Sequence, residues 1–402
     1  MKIGIIREEK NPPDSRVPLT PTQCAYLIDK YNIDISVQRS PGRCYNDEEY
    51  REMGIRLVDD VSDCEILMGV KEVPIDSLIP HKTYFFFSHT IKEQPYNRKL
   101  LQAIVEKKIA LIDYETLTNE HGGRLIAFGR FAGIVGAHNA IMTYGWRTKQ
   151  YDLKRMKDCK DYAEAREHYQ RLKLPAAKIV LTGNGRVANG AAEVLDHMNI
   201  RKVSPQEFLE RSFDEMVYTQ LAPSDYAERK DGSDFALQHF FGNPAEYQST
   251  FAEYSKTADI MINGIYWDNE APVFFTKEDM RQSDFSIQVI ADVTCDIAPV
   301  SSIPSTLHAS TIADPVFGYD VKTGAVTKPH QSGIVDMMTV DNLPNEMPRD
   351  ASESFGEQFI NNVLSELLSA ERSDGVIARA RMTRNGDLCK KYEYLRGYLE
   401  GK

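Results

Sequence analysis

Lys178-Ile179-Val180-Leu181-Thr182-Gly183-Asn184-Gly185-Arg186-Val187-Ala188 decides the fold. Five residues of strand type run straight into a glycine turn, and residues 191–198 then carry apolar side chains at helical spacing. The pattern G-x-G-x-x-A between a strand and a helix is what a dinucleotide site requires. Gly183 permits the tight turn. Gly185 has no Cβ, so the backbone there can approach a pyrophosphate. Ala188 lets the helix pack close to its strand. Arg186 and Val187 open the helix, whose first N–H groups and partial positive charge suit phosphate.

Downstream of this turn the chain reads Arg201-Lys202-Val203-Ser204-Pro205-Gln206-Glu207. The second strand of an NAD-binding unit usually ends in an acid that accepts from the ribose 2′-hydroxyl. No acid follows Val203 directly. Ser204 is uncharged and Arg201 and Lys202 are close by, so the reading leans towards NADP over NAD. Glu207 remains as an acid that can turn inwards.

The 402 residues suit two domains of ordinary size. Apolar residues at 42% and charged residues at 27% are globular values, which argues against general disorder. A formal net charge of −11 makes nucleic acid or an anionic membrane a poor partner. The start, Met1-Lys2-Ile3-Gly4-Ile5-Ile6 followed by Arg7-Glu8-Glu9-Lys10, has too short an apolar run for a signal peptide. No stretch approaches the roughly 20 apolar residues of a membrane helix. The six cysteines are scattered without a CxxC pair, which fits reduced thiols in a cytoplasmic protein and argues against a structural zinc.

Strand and helix signals alternate along the chain, so the class is α/β. Residues 2–7, 34–38, 65–70, 84–87 and 109–112 read as strands, and 20–30 as a helix. They form one doubly wound unit over about 1–127, to which residues from about 330 to 402 are expected to return. Residues 128–329 form the second, dinucleotide-binding unit, with strands at 178–182, 260–265 and 287–293. The small residues of 131–137 suit tight helix packing. Residues 148–174 read as charged and helical, the chain from about 335 as helical again, and 350–368 as one long helix. Residues 207–255 exceed what a plain strand–helix–strand link needs.

Ionisable residues gather at strand ends in the first unit. Ligands of open α/β sheets bind beyond the carboxyl ends of the strands. Lys71 and Glu72 follow one apolar strand, His89 and Lys92 a second, and Asp113 and Glu115 a third. Together they favour an active site, although each alone also suits a surface charge. Arg16, after Pro12-Pro13-Asp14-Ser15, and Arg124, after Gly122-Gly123, are candidates for pairing with substrate carboxylates.

These residues carry a resemblance. The chain is similar to the lysine–2-oxoglutarate reductase/saccharopine dehydrogenase (L-lysine-forming) family, itself related to alanine dehydrogenase and the transhydrogenase N-terminal domains. The similarity covers Arg16-Val17-Pro18-Leu19-Thr20-Pro21, Gly69 to Pro74, Phe86 to Lys92, Leu111 to Glu115, Gly183 to Gly190, Asn263-Gly264-Ile265-Tyr266-Trp267, Asp292 to Asp296, and Asp341-Asn342-Leu343-Pro344. It implies two Rossmann-like doubly wound domains with the active site in a cleft between them. It implies Lys71 and His89 as acid–base groups, Glu72 and Glu115 as acids that tune them, and Arg16 as a carboxylate-binding arginine. It adds Asn263, Tyr266, Asp296, Asp341 and Leu343 to the cofactor contacts. The implied reaction is reversible condensation of lysine and 2-oxoglutarate to saccharopine with NAD(P). The alternatives are another amino-acid dehydrogenase, such as alanine dehydrogenase, or a non-catalytic NAD(P)H-binding protein. A homo-oligomer is compatible with either.

Overall fold

The computed structural model describes residues 1–369 and 374–402. The chain forms two units, Met1–Phe128 with Pro348–Lys402, and Gly129–Met347.

In the first unit, six parallel strands run β1 (Lys2–Ile5), β2 (Asp34–Gln38), β3 (Arg56–Val58), β4 (Ile66–Met68), β5 (Thr83–Phe86) and β6 (Ala110–Asp113), in the spatial order β3-β2-β1-β4-β5-β6. The order reverses between β1 and β4, which makes their shared carboxyl edge the switch point where ligands bind. The strands are short apolar runs because helices cover both faces. Ile3, Ile5, Met68 and Phe85 are wholly buried. Thr20 starts the helix Pro21–Tyr31: its hydroxyl accepts from Gln23 N, and the Gln23 side chain accepts from Thr20 N at 3.0 Å, a reciprocal cap.

The helix Pro348–Asn362 brings the C-terminal segment back onto this sheet. Phe359 meets Phe85 edge-on at 5.8 Å and Phe355 meets Tyr114 at 4.8 Å. Burying each such ring is worth roughly 1.5–3 kcal/mol. The one long helix expected over 350–368 is two pieces. It breaks at Val363, whose backbone leaves the helical region, and resumes at Leu364–Leu367.

The second unit is built on eight strands. They are β7 (Ala177–Thr182), β8 (Arg201–Lys202) and β9 (Met216–Leu221), then, beyond a small separate hairpin of β10 (Ala227–Arg229) and β11 (Tyr247–Ser249), β12 (Ile260–Asn263), β13 (Val289–Asp292), β14 (Val316–Asp320), β15 (Ala325–Thr327) and β16 (Ile334–Met338). The spatial order is β15-β14-β16-β13-β12-β7-β9-β8. All pairings from β16 to β8 are parallel, and β14 and β15 are antiparallel.

Two expectations are corrected here. Residues 334–338 form a central strand of this sheet rather than a helix, so the return to the first unit comes at Pro348. Of the stretch 148–174, only Tyr162–Tyr169 forms an α-helix, with a short 3₁₀ turn at Met156–Asp158. The charged side chains there are too sparsely backed by apolar ones to hold a longer helix.

The small residues of 131–137 lie on the helix Gly129–Thr148, which packs backbone to backbone on the helix Arg186–His197. A Cβ at Gly133 would sit 1.8 Å from Val187 O, so only glycine fits that approach.

Candidate active site

The first cluster lies where β1, β4, β5 and β6 end side by side. β4 runs out through Gly69 and Val70 to Lys71. β5 runs out through Phe87 and Ser88 to His89, and Phe87 N donates to Val70 O at 3.0 Å, so the two exits stay in register. Lys71 and His89 therefore leave the sheet from neighbouring strands.

Glu72 links the two exits. Its Oε1 lies 2.5 Å from His89 Nδ1, and its Oε2 3.0 Å from the Lys10 ammonium. Burial pushes the Glu72 carboxyl up, but the His89 contact and the Lys10 charge outweigh it and hold the group at about 2. His89 adopts a left-handed backbone, φ +52°, and its ring stacks on Phe87 with the planes 14° apart. Lys71 is pulled down to about 8, first by burial, then by the like charges of Arg16 and Lys10. A lysine so placed exchanges protons near neutral pH.

Behind these side chains stand two buried carboxylates. Glu8, just past β1, accepts from Val70 N at 2.6 Å and Lys71 N at 2.9 Å, and burial raises it to about 7. Asp113, at the end of β6, accepts from Ser88 N at 2.9 Å, from the Ser88 hydroxyl, and from Glu115 N at 2.7 Å. Burial raises Asp113 to about 6. The two acids pin the backbone of the β4, β5 and β6 exits.

Arg16 is 2% exposed, and its guanidinium pairs with Asp14 through Nη2 at 2.6 Å and Nε at 3.0 Å, above the Phe128 ring. Glu115 is buried and paired with Arg124. Lys92 is exposed in the turn after His89 and forms no ion pair among the described residues. The structure thus brings Lys71, Glu72 and His89 together, ties Glu115 to Arg124, and places Arg16 against Asp14.

Sequence reasoning picked out Asp113 by its place at the end of β6 but passed over Glu8, Lys10 and Asp14. The signal for these three was the switch-point rule applied to β1, whose end borders β4 as closely as β5 does.

The second cluster lies at the carboxyl ends of β16, β13, β12, β7 and β9. Gly183 follows β7 with φ +98°, and a Cβ there would sit 2.9 Å from Gly264 O. Gly185 is the residue before the helix Arg186–His197, a Cβ on it would meet no described atom within 4 Å, and no described side chain caps that helix start. Ala188 is wholly buried, with Arg186 exposed and Val187 half-buried beside it. A cradle with room at Gly185 and uncapped N–H groups fits a pyrophosphate.

Asn263 takes a different place from the one expected. It has no exposed surface: its amide donates to Asp292 Oδ1 at 3.0 Å and Ser302 Oγ at 3.1 Å and accepts from Thr182 Oγ1 at 2.8 Å. It ties the ends of β7, β12 and β13 together, with its side chain wholly engaged by these partners. Tyr266, by contrast, is 85% exposed. Asp296 follows β13, and Asp341 and Leu343 follow β16, with Asp341 exposed and Leu343 buried.

Ser204 is a correction. It follows β8, which is the edge strand and pairs with β9, not with β7. Its hydroxyl accepts from Glu207 N, and Glu207 returns to Ser204 N, an ordinary helix cap for Pro205–Glu210. The strand beside the glycine strand is β9, with Gly183 N donating to Leu221 O at 2.8 Å. The acid that follows this strand is Asp225, whose carboxylate accepts from Ala222 N at 2.7 Å. The detour of residues 201–215 to the sheet edge hid it.

Among the described residues no helix is long and apolar enough to cross a membrane. Cys159, Glu164 and His168 bring possible metal-ligating atoms within 4.8 Å of one another, and the Lys154 ammonium and Lys160 N already occupy Glu164.

Residues 4–135 match the family described as alanine dehydrogenase/PNT, N-terminal domain. Over 98% of its length the chain is 29% identical to the alpha-aminoadipic semialdehyde synthase of Arabidopsis thaliana, and over all of it 27% identical to the mitochondrial synthase of Rattus norvegicus. The chain spans less than half the length of these relatives, 41% and 48%. It is 27% identical to the saccharopine dehydrogenase [NAD(+), L-lysine-forming] of Emericella nidulans, covering 89% of this chain and 90% of that one. An L-alanine dehydrogenase structure superposes with a TM-score of 0.64 at 15% identity, covering 99% of this chain and 100% of that one. The transhydrogenase of Sinorhizobium meliloti does so with 0.61 at 16%, covering 97% and 100%. The fold is that of alanine dehydrogenase.

Proposed function

We propose that this chain, a homologue of the lysine-forming saccharopine dehydrogenases along 89% of its length, joins L-lysine and 2-oxoglutarate reversibly to saccharopine with a nicotinamide dinucleotide as hydride carrier. The observation that carries the reading is the Lys71–Glu72–His89 group at the β4 and β5 exits.

Condensation needs proton traffic at two points. The lysine ε-ammonium loses a proton before it attacks the ketone of 2-oxoglutarate, and the resulting hydroxyl gains one to leave as water. Lys71, held at about 8, is populated in both forms near neutral pH, so it can take the first proton and deliver the second. His89 is oriented by Glu72 at Nδ1, which leaves Nε2 as the second exchange point. Arg16, Lys92 and Arg124 are the cations for the substrate carboxylates, with Arg16 positioned by Asp14 and Arg124 by Glu115. When bound, the dinucleotide supplies the hydride that reduces the imine carbon.

Gly183, Gly185 and the start of Arg186–His197 would hold the pyrophosphate, and Asp225 the ribose hydroxyls. NAD is the expected carrier. Asp225 suits an unmodified ribose, and the fungal dehydrogenases similar to this chain are named for NAD(+). Lys202 is the cation a 2′-phosphate would meet, since it holds Gln220 at 2.8 Å and Gln220 donates to Gly183 O.

The test is NADH and NADPH oxidation with lysine plus 2-oxoglutarate, set against pyruvate plus ammonia. Turnover only with the first pair supports the reading. Turnover only with the second replaces it with alanine dehydrogenation, and none with either leaves a dinucleotide-binding protein.

A further inference from the structure

Past the end of β1 the chain divides its side chains between two places. Glu8 and Lys10 turn to the strand exits, Glu8 accepting from Val70 N and Lys71 N and Lys10 pairing with Glu72. Arg7 and Glu9, their neighbours in sequence, line a separate cavity of about 220 Å³. Successive side chains of an extended chain point to opposite sides, so one short segment borders both. The cavity lies on the sheet face opposite the helix Pro348–Asn362. Ile5 and Met68 pack in one core with that helix's Phe355 and Phe359, whereas Leu67, Val61, Val73 and Tyr84 form the core of the other face. The last three of these, with Ile79, give the cavity an apolar floor.

The rim carries both signs of charge. Arg7 Nε donates to Glu9 Oε1 at 2.7 Å, and the two Nη groups form no hydrogen bond among the described residues. The Ser77 hydroxyl donates to Glu9 Oε2 at 2.5 Å and holds that carboxyl below its usual range, with Arg7 adding to the effect. Asp60, also on the rim, accepts from the Ser62 hydroxyl at 2.6 Å and Ser62 N at 2.8 Å, which lower it likewise. An open guanidinium fork and two ionised carboxylates thus ring an apolar floor. Sites that enclose a drug-sized ligand run to roughly 300–1,000 Å³, so this smaller space suits a molecule of amino-acid size. A carboxylate matches the fork, an ammonium matches the two acids, and a short hydrocarbon matches the floor. An aliphatic α-amino acid carries all three groups, and its zwitterion brings no net charge into a partly buried space.

We infer that this cavity binds an aliphatic α-amino acid as an inhibitory effector, which acts on Lys71 through residues 6–10. The inhibitory half of the inference rests on the reaction proposed above. The ligand carboxylate takes the Arg7 Nη pair, its ammonium sits between Glu9 and Asp60, and its side chain covers Val61 and Val73. Seating the ligand draws Arg7 and Glu9 inwards. Glu8 and Lys10 then shift from Lys71 N and Glu72, and the proton-exchanging groups lose their setting. The cations that take the substrate carboxylates lie elsewhere, so kcat falls while KM for lysine stays.

The experiment titrates the full chain with L-leucine by calorimetry, and separately with isocaproate, which lacks the amine, and isoamylamine, which lacks the carboxylate. Leucine should bind, and each fragment should bind at least about tenfold more weakly, the loss of one charge-assisted contact. Arg7→Ala and Glu9→Gln alter side chains at the surface, so folding is preserved, and each should weaken leucine about tenfold. In the NADH assay with lysine and 2-oxoglutarate, leucine should lower kcat severalfold with KM for lysine unchanged. Both variants should keep their turnover and escape the inhibition. Inhibition competitive with lysine would put leucine in the substrate site and overturn the inference. So would no calorimetric binding, equal binding of either fragment, affinity unchanged in both variants, or binding that leaves kcat as it was. No turnover at all, with leucine binding that both variants weaken, overturns the proposed reaction and leaves the amino-acid site standing.

Discussion

The two units present opposite kinds of strand end. Beyond β1, β4, β5 and β6 the first unit crowds charge: Glu8, Lys10, Arg16, Lys71, Glu72, His89, Asp113 and Glu115. Beyond β7 and β12 the second unit presents backbone, with glycines at 183, 185 and 264 and an uncapped helix start. Under the proposed function the same doubly wound geometry serves two physical tasks. Moving protons needs groups whose acidity is set by burial and neighbouring charge. Holding a pyrophosphate needs close approach and N–H dipoles, which side chains would obstruct. Substitutions that separate turnover from binding are the way to break this contrast.

The largest effect is expected from Lys71→Met, which removes the exchanging amine. Turnover should fall about 10²- to 10⁴-fold, with NADH affinity unchanged by calorimetry. A matching loss of NADH affinity would mean that Lys71 serves the structure and not the reaction. Gly183→Ala should do the reverse. The residue sits at φ +98° with no room for a Cβ, so the turn shifts and NADH affinity drops about tenfold or more. The low pKa of Glu72 and the orientation of His89 should be untouched there.

Lys10→Met sharpens the contrast through pH. Lys10 is one of the like charges that lower Lys71, so its loss lets the Lys71 pKa rise above about 8. A rate that needs the neutral amine climbs with pH through that pKa, and the climb should move to higher pH by under about one unit. A profile that stays in place would assign the titration to another group.

The smallest expected effect concerns stability. Asp113 is raised from 3.8 to about 6 by burial. Its contribution is complete below about pH 4 and lost as pH rises through about 6, so unfolding free energy should fall across that window by at most about 3 kcal/mol. Asp113→Asn should flatten this fall. Urea unfolding at pH 4.5 and 7 reads it directly, and an unchanged slope would exclude Asp113 as its source.

Much of this was legible in residue patterns. Periodicity placed the strands 34–38 and 178–182, and the glycine spacing located the cradle. Lys71, Glu72 and His89 could be picked out because charge immediately after a short apolar run has one usual explanation in a parallel sheet. Other features were not legible, for reasons that lie in distance along the chain. Ser204 looked like the ribose contact because it follows the next strand in sequence, yet β8 sits at the sheet edge and β9 takes the neighbouring place. Asn263 reads as a ligand contact until its three hydrogen bonds to Asp292, Ser302 and Thr182 are seen. Residues 334–338 could not be told from a helix because a short buried apolar run has no periodicity of its own.

Sequence alone determined the class of the fold, the glycine turn and the types of residue at the strand ends of the first unit, since these follow from local spacing and from backbone freedom at single positions. Tertiary structure alone decided which strand lies beside the cradle, which carboxylates are buried behind Lys71 and His89, and which arginine is already held by Asp14. Those outcomes depend on strand order and on desolvation, and both arise only when residues far apart in the chain are packed against one another.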